Sequence, residues 1–210
     1  MSRAFENLAV EGQALSAKMR LRKFRRWLQC LKLLAFTSLY LVPAFLQAQE
    51  GRPTDVQVEA VYLFNFGKFV RWPSNPDAQT NSFNICVLGK NPFGSVLDST
   101  VRGETIDGRP VLARTVLTVQ DPPNCPIVFI SASEEGRLNT ILPGLRRQAI
   151  LTVSNIPHFT ERGGMIEFVN VDDRIRFTVN VSPMKEAGLS VSSELLKVAT
   201  KVIGQTGGPR

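Results

Sequence analysis

Apolar positions change their period several times along residues 56–203, and each change marks an element. From Val56 to Val70 the spacing is helical, with Val58, Val61, Tyr62, Phe66 and Phe69 on one face. Leu63, Phe64 and Val70 make the other side apolar as well, so this helix is expected to be covered on more than one side and to end at Trp72-Pro73. Phe83 to Leu88 is a short apolar run closing on Gly89, which predicts a strand; Asn91 to Leu97 then reads as a loop entering a short helix. Pro110 to Val116, after an Asp107-Gly108 turn, predicts a second strand, and Pro126 to Ile130 a third with the composition of a fully buried one. Ser131 to Glu134 has the S-x-x-E spacing of a capping box, and Leu138, Ile141, Leu142 and Leu145 form the inner stripe of a helix shortened or kinked at Pro143.

Ala149 to Val153 predicts a fourth strand, while Met165–Val169 and Arg174–Val179 predict an antiparallel hairpin around Asp172-Asp173. A last helix is expected over Ser193–Ile203, with Leu195, Leu196, Ala199, Val202 and Ile203 inward and Gly204 as its stop. Strands alternating with helices and closing on a hairpin imply an α/β fold: a mixed sheet of about six strands with helices on both faces, in a single domain.

The N-terminal part follows a different logic. Arg20, Arg22, Lys23, Arg25 and Arg26 precede an apolar stretch from Leu33 to Leu46 and then Gln47-Ala48-Gln49, the order of a cleavable export signal. That stretch is shorter than the roughly 20 residues needed to span a bilayer. Cleavage is expected after Ala48, and translation is expected to start at Met19, because Glu6 and Glu11 do not suit a signal. The chain therefore divides into residues 1–48, an extension plus signal peptide, and residues 49–210, an exported periplasmic domain of about 160 residues, enough for one core.

Export changes the reading of charge. The sequence pI is about 9.7, but residues 1–48 hold eight of the 25 basic and two of the 18 acidic residues, leaving the remainder at a net charge of +1. A nucleic-acid partner, which a basic domain would suggest, is therefore not expected. Of three cysteines, Cys86 and Cys125 remain after cleavage. In an oxidising compartment a disulfide between them is the economical reading, with two buried reduced thiols as the alternative. Two cysteines and one histidine offer no ligand spacing, so neither a metal nor another cofactor is expected.

No catalytic constellation stands out. His158 lies in a Pro157-His158-Phe159 loop with Ser154 nearby, without a pattern that supplies a nucleophile and an orienting acid. Gly89-Lys90 lacks the spacing of a phosphate loop. Glu134-Glu135 suits a helix start and Asp172-Asp173 a turn. Gly163-Gly164 is more distinctive, because paired glycines entering a strand permit positive φ or the close approach of another group. These residues point to an exported binding or regulatory module.

Ala60-Val61-Tyr62-Leu63-Phe64-Asn65-Phe66, running on to Phe69-Val70-Arg71-Trp72-Pro73, resembles the opening of the YfiR family of periplasmic proteins. The likeness continues through Ile85–Gly94, Gly108–Val111, Cys125–Ser131, Phe159–Ile166, Arg174–Asn180, Ala187-Gly188-Leu189 and Ser192–Leu196. It implies a non-enzymatic repressor that binds the periplasmic sensory domain of an inner-membrane diguanylate cyclase and so limits cyclic di-GMP and biofilm. It also implies an outer-membrane lipoprotein that can sequester the repressor, a homodimer, and a Cys86–Cys125 disulfide; a second cysteine pair found in some members has no counterpart. The alternative is a periplasmic small-molecule-binding protein. From the residues themselves, Tyr62, Phe66 and Phe69 are the expected partner or dimer contact, and Gly164, Met165, Ile166, Phe177 and Asn180 a candidate pocket.

Overall fold

Residues 54–73, 81–118 and 124–204 are described by the computed structural model. The predicted signal peptide and N-terminal extension lie outside the described residues. The first helix, α1 (Asp55–Phe69), starts where Thr54 and Gln57 form a capping box: Gln57 N donates to Thr54 Oγ1 at 3.3 Å, and Thr54 N donates to Gln57 Oε1 at 2.8 Å. It ends before the expected Trp72-Pro73 stop because Val70–Arg71 turn extended as β1, which pairs antiparallel with β9 (Ser190–Val191).

The main sheet is built around β2 (Phe83–Leu88), whose six residues are all buried. Parallel neighbours flank it: β4 (Arg109–Val116), with Phe83 opposite Val111 and Leu88 opposite Val116, and β5 (Ile127–Ile130), with Ile85 opposite Ile127. Beyond β5 follow β6 (Leu151–Ser154) and β7 (Ile166–Val171), also parallel, then β8 (Arg174–Asn180) antiparallel to β7. β10 (Lys201–Ile203) runs parallel to β8, and β3 (Thr105–Ile106) caps one end of β4, giving the order β10-β8-β7-β6-β5-β2-β4-β3.

Period-2 alternation distributes side chains to two layers. Phe83, Ile85 and Val87 of β2 and Ile127 and Phe129 of β5 face the larger core, shared with α1, α2 (Val96–Val101), α4 (Val181–Glu186) and α5 (Ser193–Val198). Cys86, Leu88, Val128 and Ile130 face the smaller core, under α3 (Leu138–Leu145). Helices therefore cover both faces, as expected. Each fully buried Phe, Ile, Leu or Val contributes roughly 1.5–3 kcal/mol relative to exposure.

Three expectations are corrected. The sheet has eight strands, not about six, because β3 and β10 were not foreseen. The final helix stops at Val198 instead of Ile203: Thr200 N donates to Phe177 O at 2.9 Å, and Val202 and Ile203 pair with Val179 and Asn180. The β-branched residues Thr200, Val202 and Ile203 suit that extended conformation. Ser131 is a cap, but of a 3₁₀ segment (Ala132–Arg137); its hydroxyl accepts from Ser133 N at 3.5 Å, while Glu134 N bonds the Ser131 carbonyl. The Asp107-Gly108 and Asp172-Asp173 turns both place their two central residues at positive φ, the geometry that matches hairpin twist.

Cys86 and Cys125 form a disulfide with Cα atoms 5.8 Å apart, both residues buried. It closes a loop of sequence separation 39 that contains α2, β3 and β4. Replacing both cysteines by alanine is expected to lower stability by about 4 kcal/mol, the loop-entropy value for that length. Urea denaturation of the oxidised protein and the double variant measures the difference.

Candidate functional site

The two groups of candidate residues meet in the core. Tyr62 and Phe66 of α1 stack at 6.0 Å, and both meet the Phe177 ring of β8 edge-on, at 5.3 and 5.2 Å. Phe168 of β7 completes the cluster, 5.8 Å from Phe66 and 6.0 Å from Tyr62. Phe66 is fully buried, so it anchors α1 to the β7–β8 hairpin and offers no contact surface. Tyr62 is half-buried at the rim of the cluster, whereas Phe69 and Val61 are exposed on the outer side of α1. Of the apolar face that helical spacing gave to Val58, Val61, Tyr62, Phe66 and Phe69, Val61 and Phe69 are exposed and Phe66 is buried, while Glu59, Ala60 and Gly67, which that spacing left out, are buried.

The candidate pocket residues are also structural. Gly164, Met165, Ile166 and Phe177 are buried. Gly164 is a close-approach position, since a Cβ there would land on the Phe159 ring. Asn180 caps α4 by accepting from Ser182 N at 3.1 Å and donates through Nδ2 to Thr160 O at 2.9 Å. They frame a loop, residues 155–163, held by a group the sequence did not single out. The buried Glu167 carboxylate on β7 accepts from His158 N (2.9 Å), Thr160 N (3.1 Å) and Thr160 Oγ1 (2.9 Å). Its position between the inward Ile166 and Phe168 puts it on the sheet's other face, a signal readable only with the loop in place.

Glu59 is the second buried carboxylate that escaped notice. It is a charged residue at i+3 from Val56 and i−4 from Leu63, on the covered face of α1, and this spacing could have flagged it. Burial pushes its carboxyl up to about 7, opposed by a hydrogen bond from Asn155 Nδ2 at 3.4 Å and reinforced by the negative charge of Asp55.

Five of the sheet's strands, β4-β2-β5-β6-β7, are parallel in a doubly wound order whose direction reverses beside β2. Folds of this kind bind ligands outside the carboxyl ends of the strands at such a reversal. Here that position is filled by the protein itself. Ser131 N donates to Leu88 O at 3.0 Å, Lys90 N donates to Ser133 Oγ at 2.9 Å, and Gly89, at φ +88°, leaves no room for a Cβ beside Ser133 and Glu134. The Glu134 carboxylate lies 3.1 Å from Arg137 Nη1. Gly89-Lys90 is thus an ordinary turn. His158 is exposed and 3.0 Å from Glu161, while the buried Ser154 hydroxyl donates to Ile130 O and accepts from Ile156 N. Among the described residues no cluster of three metal-ligating side chains forms, and no helix is long and apolar enough to cross a membrane.

The fold and these contacts define a doubly wound α/β domain with a cysteine-stapled central strand. The family description YfiR/HmsC-like matches residues 56–200, and the chain belongs to that family. No curated protein matches the sequence. Among solved structures, a conserved domain protein from Vibrio cholerae is similar at 11% identity and a TM-score of 0.45, over 70% of this chain and 60% of that one. The ABC domain in complex with L-Trp from Streptococcus pneumoniae is similar at 13% identity and a TM-score of 0.46, over 71% and 60%. This chain thus spans about 60% of the length of either structure.

Two predictions follow from the buried carboxylates. Because the Glu59 carboxyl is raised in the folded state, the stability it permits is complete below its ordinary value near 4.5 and is lost as pH rises through about 7. Glu59→Gln should match the parent near pH 4 and exceed it at pH 8 by up to about 3 kcal/mol, read by urea denaturation at both pH values. Glu167→Ala strands three donors and should cost about 2–4 kcal/mol, with faster amide exchange at His158 and Thr160.

Proposed function

We propose that this chain is a periplasmic regulatory protein that binds the sensory domain of an inner-membrane diguanylate cyclase and restrains it, lowering cyclic di-GMP and biofilm formation. The observation that carries the reading is family membership over residues 56–200, which spans α1 to α5. Members of the family are periplasmic regulators, not enzymes. An outer-membrane lipoprotein that sequesters the repressor and a homodimeric state belong to the same reading.

The contact surface is assigned to the outer side of α1, where Val61 and Phe69 are exposed, with Tyr62 at its margin. Restraint requires only that the repressor bind the inactive sensor more tightly than the active one. A difference of about 1–3 kcal/mol changes the balance 5- to 150-fold. Because α1 is fixed to the hairpin by the Tyr62–Phe66–Phe177 cluster, it meets a partner as a rigid element.

Deleting the gene should raise cyclic di-GMP, and Val61→Glu with Phe69→Glu should do the same while leaving thermal stability within about 1 kcal/mol. Pull-down of the cyclase's periplasmic domain by the parent, and its loss with the double variant, checks the contact directly. An unchanged cyclic di-GMP level in a deletion strain whose cyclase is active would refute the reading.

A further inference from the structure

We infer that Glu59 is a proton-operated clasp: protonated, it holds the first turns of α1 down beside Asn155, and ionised, it lets residues 54–60 lift while the rest of the helix stays in place. The inference concerns this chain alone and goes beyond the proposed function. Residues 54–58 are exposed or half-buried, and Glu59, 6% exposed, is the first buried side chain of α1. A carboxylate withdrawn from water needs several donors or a facing cation to stay ionised. Among the described residues Glu59 has one donor, the neutral side-chain amide of Asn155, whose Nδ2 reaches Oε1 at 3.4 Å.

No cation supplies the missing compensation. α1 packs against α2, β1, β8 and α5. Their charged residues are Asp98 on α2, Arg71 on β1, Arg174 and Arg176 on β8, and Glu194 and Lys197 on α5, all exposed. In the loop 155–163, His158 and Glu161 bind each other, Glu161 also binds Lys201, and Arg162 binds Glu135. Lys68, further along α1, binds Glu104. Among the described residues no basic nitrogen comes within 4.0 Å of the Glu59 carboxyl. The charge that acts on it is that of Asp55, one turn earlier on the helix, and a like charge disfavours ionisation.

The groups on either side of the contact are fixed. Glu167 holds the loop through His158 N and Thr160 N, and Asn180 holds it through Thr160 O. From Tyr62 onward α1 is locked by the rings of Tyr62, Phe66 and Phe177 and by the fully buried Leu63. Ahead of Glu59 the helix has only its capping box and the half-buried Val56 and Val58. Ionisation is therefore relieved where the structure is least anchored, by opening residues 54–60 alone. With the carboxyl raised to about 7, the clasp is closed below its ordinary value near 4.5 and is released as pH rises to neutrality. Opening bares Glu59 and Ala60 beside Val61, so compartment pH alters the contact face of α1 without moving its anchored half; that consequence alone rests on the proposed contact surface.

Amide exchange by NMR, on protein recovered from the periplasm and corrected for intrinsic rates, tests the clasp. The Ala60 and Val61 amides bond the carbonyls of Val56 and Gln57 and are freed when the segment lifts. Their opening should grow about tenfold per pH unit between about pH 5 and pH 7, since each opening releases one proton. At pH 7 both should open at least about tenfold more often than Phe66, as a local opening requires. Glu59→Gln should abolish the pH dependence and keep the protection seen at pH 5. Asn155→Ala, at an exposed position, removes the donor that favours the carboxylate and should carry the rise to higher pH; it serves if Glu59→Gln fails to fold. The same dependence in Glu59→Gln, a flat profile in the parent, or equal protection at Val61 and Phe66 throughout would each overturn the inference. The measurement uses no partner, so its failure leaves the proposed function standing.

Discussion

Burial of β2 on both faces is the constraint on which the other elements depend. Its six residues have no exposed side, so two layers of apolar side chains must be supplied from elsewhere. One comes from α1 and α2, the other from α3 and the loop carrying Ile156 and Phe159. Because β2 is central, its two ladders fix β4 and β5, and β5 in turn fixes β6 and β7. The disulfide joins β2 to the residue pair that leads into β5, so the covalent bond reinforces the same junction.

Around that frame the polar groups hold geometry more than they offer chemistry. Glu167 gathers the backbone of residues 158–160, Asn180 ties Thr160 to the start of α4, and Glu134 closes the space between the ends of β2 and β5. Glu167 and Asn180 use a buried oxygen or amide to satisfy main-chain groups that a loop would otherwise leave bare, whereas Glu134 pairs with Arg137. A few large apolar side chains also stand at the surface: Val61 and Phe69 on α1, Leu112 on β4 and Leu117 just beyond it.

Elements whose signals are local were legible from the sequence. Phe83–Leu88 was bounded by its own composition and by Gly89, and the Asp172-Asp173 hairpin by turn chemistry. β10 was not, because Lys201–Ile203 becomes a strand only by pairing with Thr178–Asn180, and Leu195-Leu196 upstream continued the helical spacing. The candidate contact and pocket residues were separately plausible, yet Tyr62 and Phe66 meet Phe177 across more than one hundred positions of chain, a proximity that no local pattern carries. The same applies to Glu59, whose identity was visible but whose burial beside Asn155 depends on how α1 lies against the end of β6.

Cys86 and Cys125 also determine how the molecule answers to cutting. The chain leaves β2, builds α2, β3 and β4 on one side, and returns to β5, with the disulfide across the neck of that excursion. A single cleavage anywhere between the two cysteines therefore leaves one covalent molecule, with every strand of the sheet still attached. Proteolysis in an oxidising compartment would nick this lobe without shedding it.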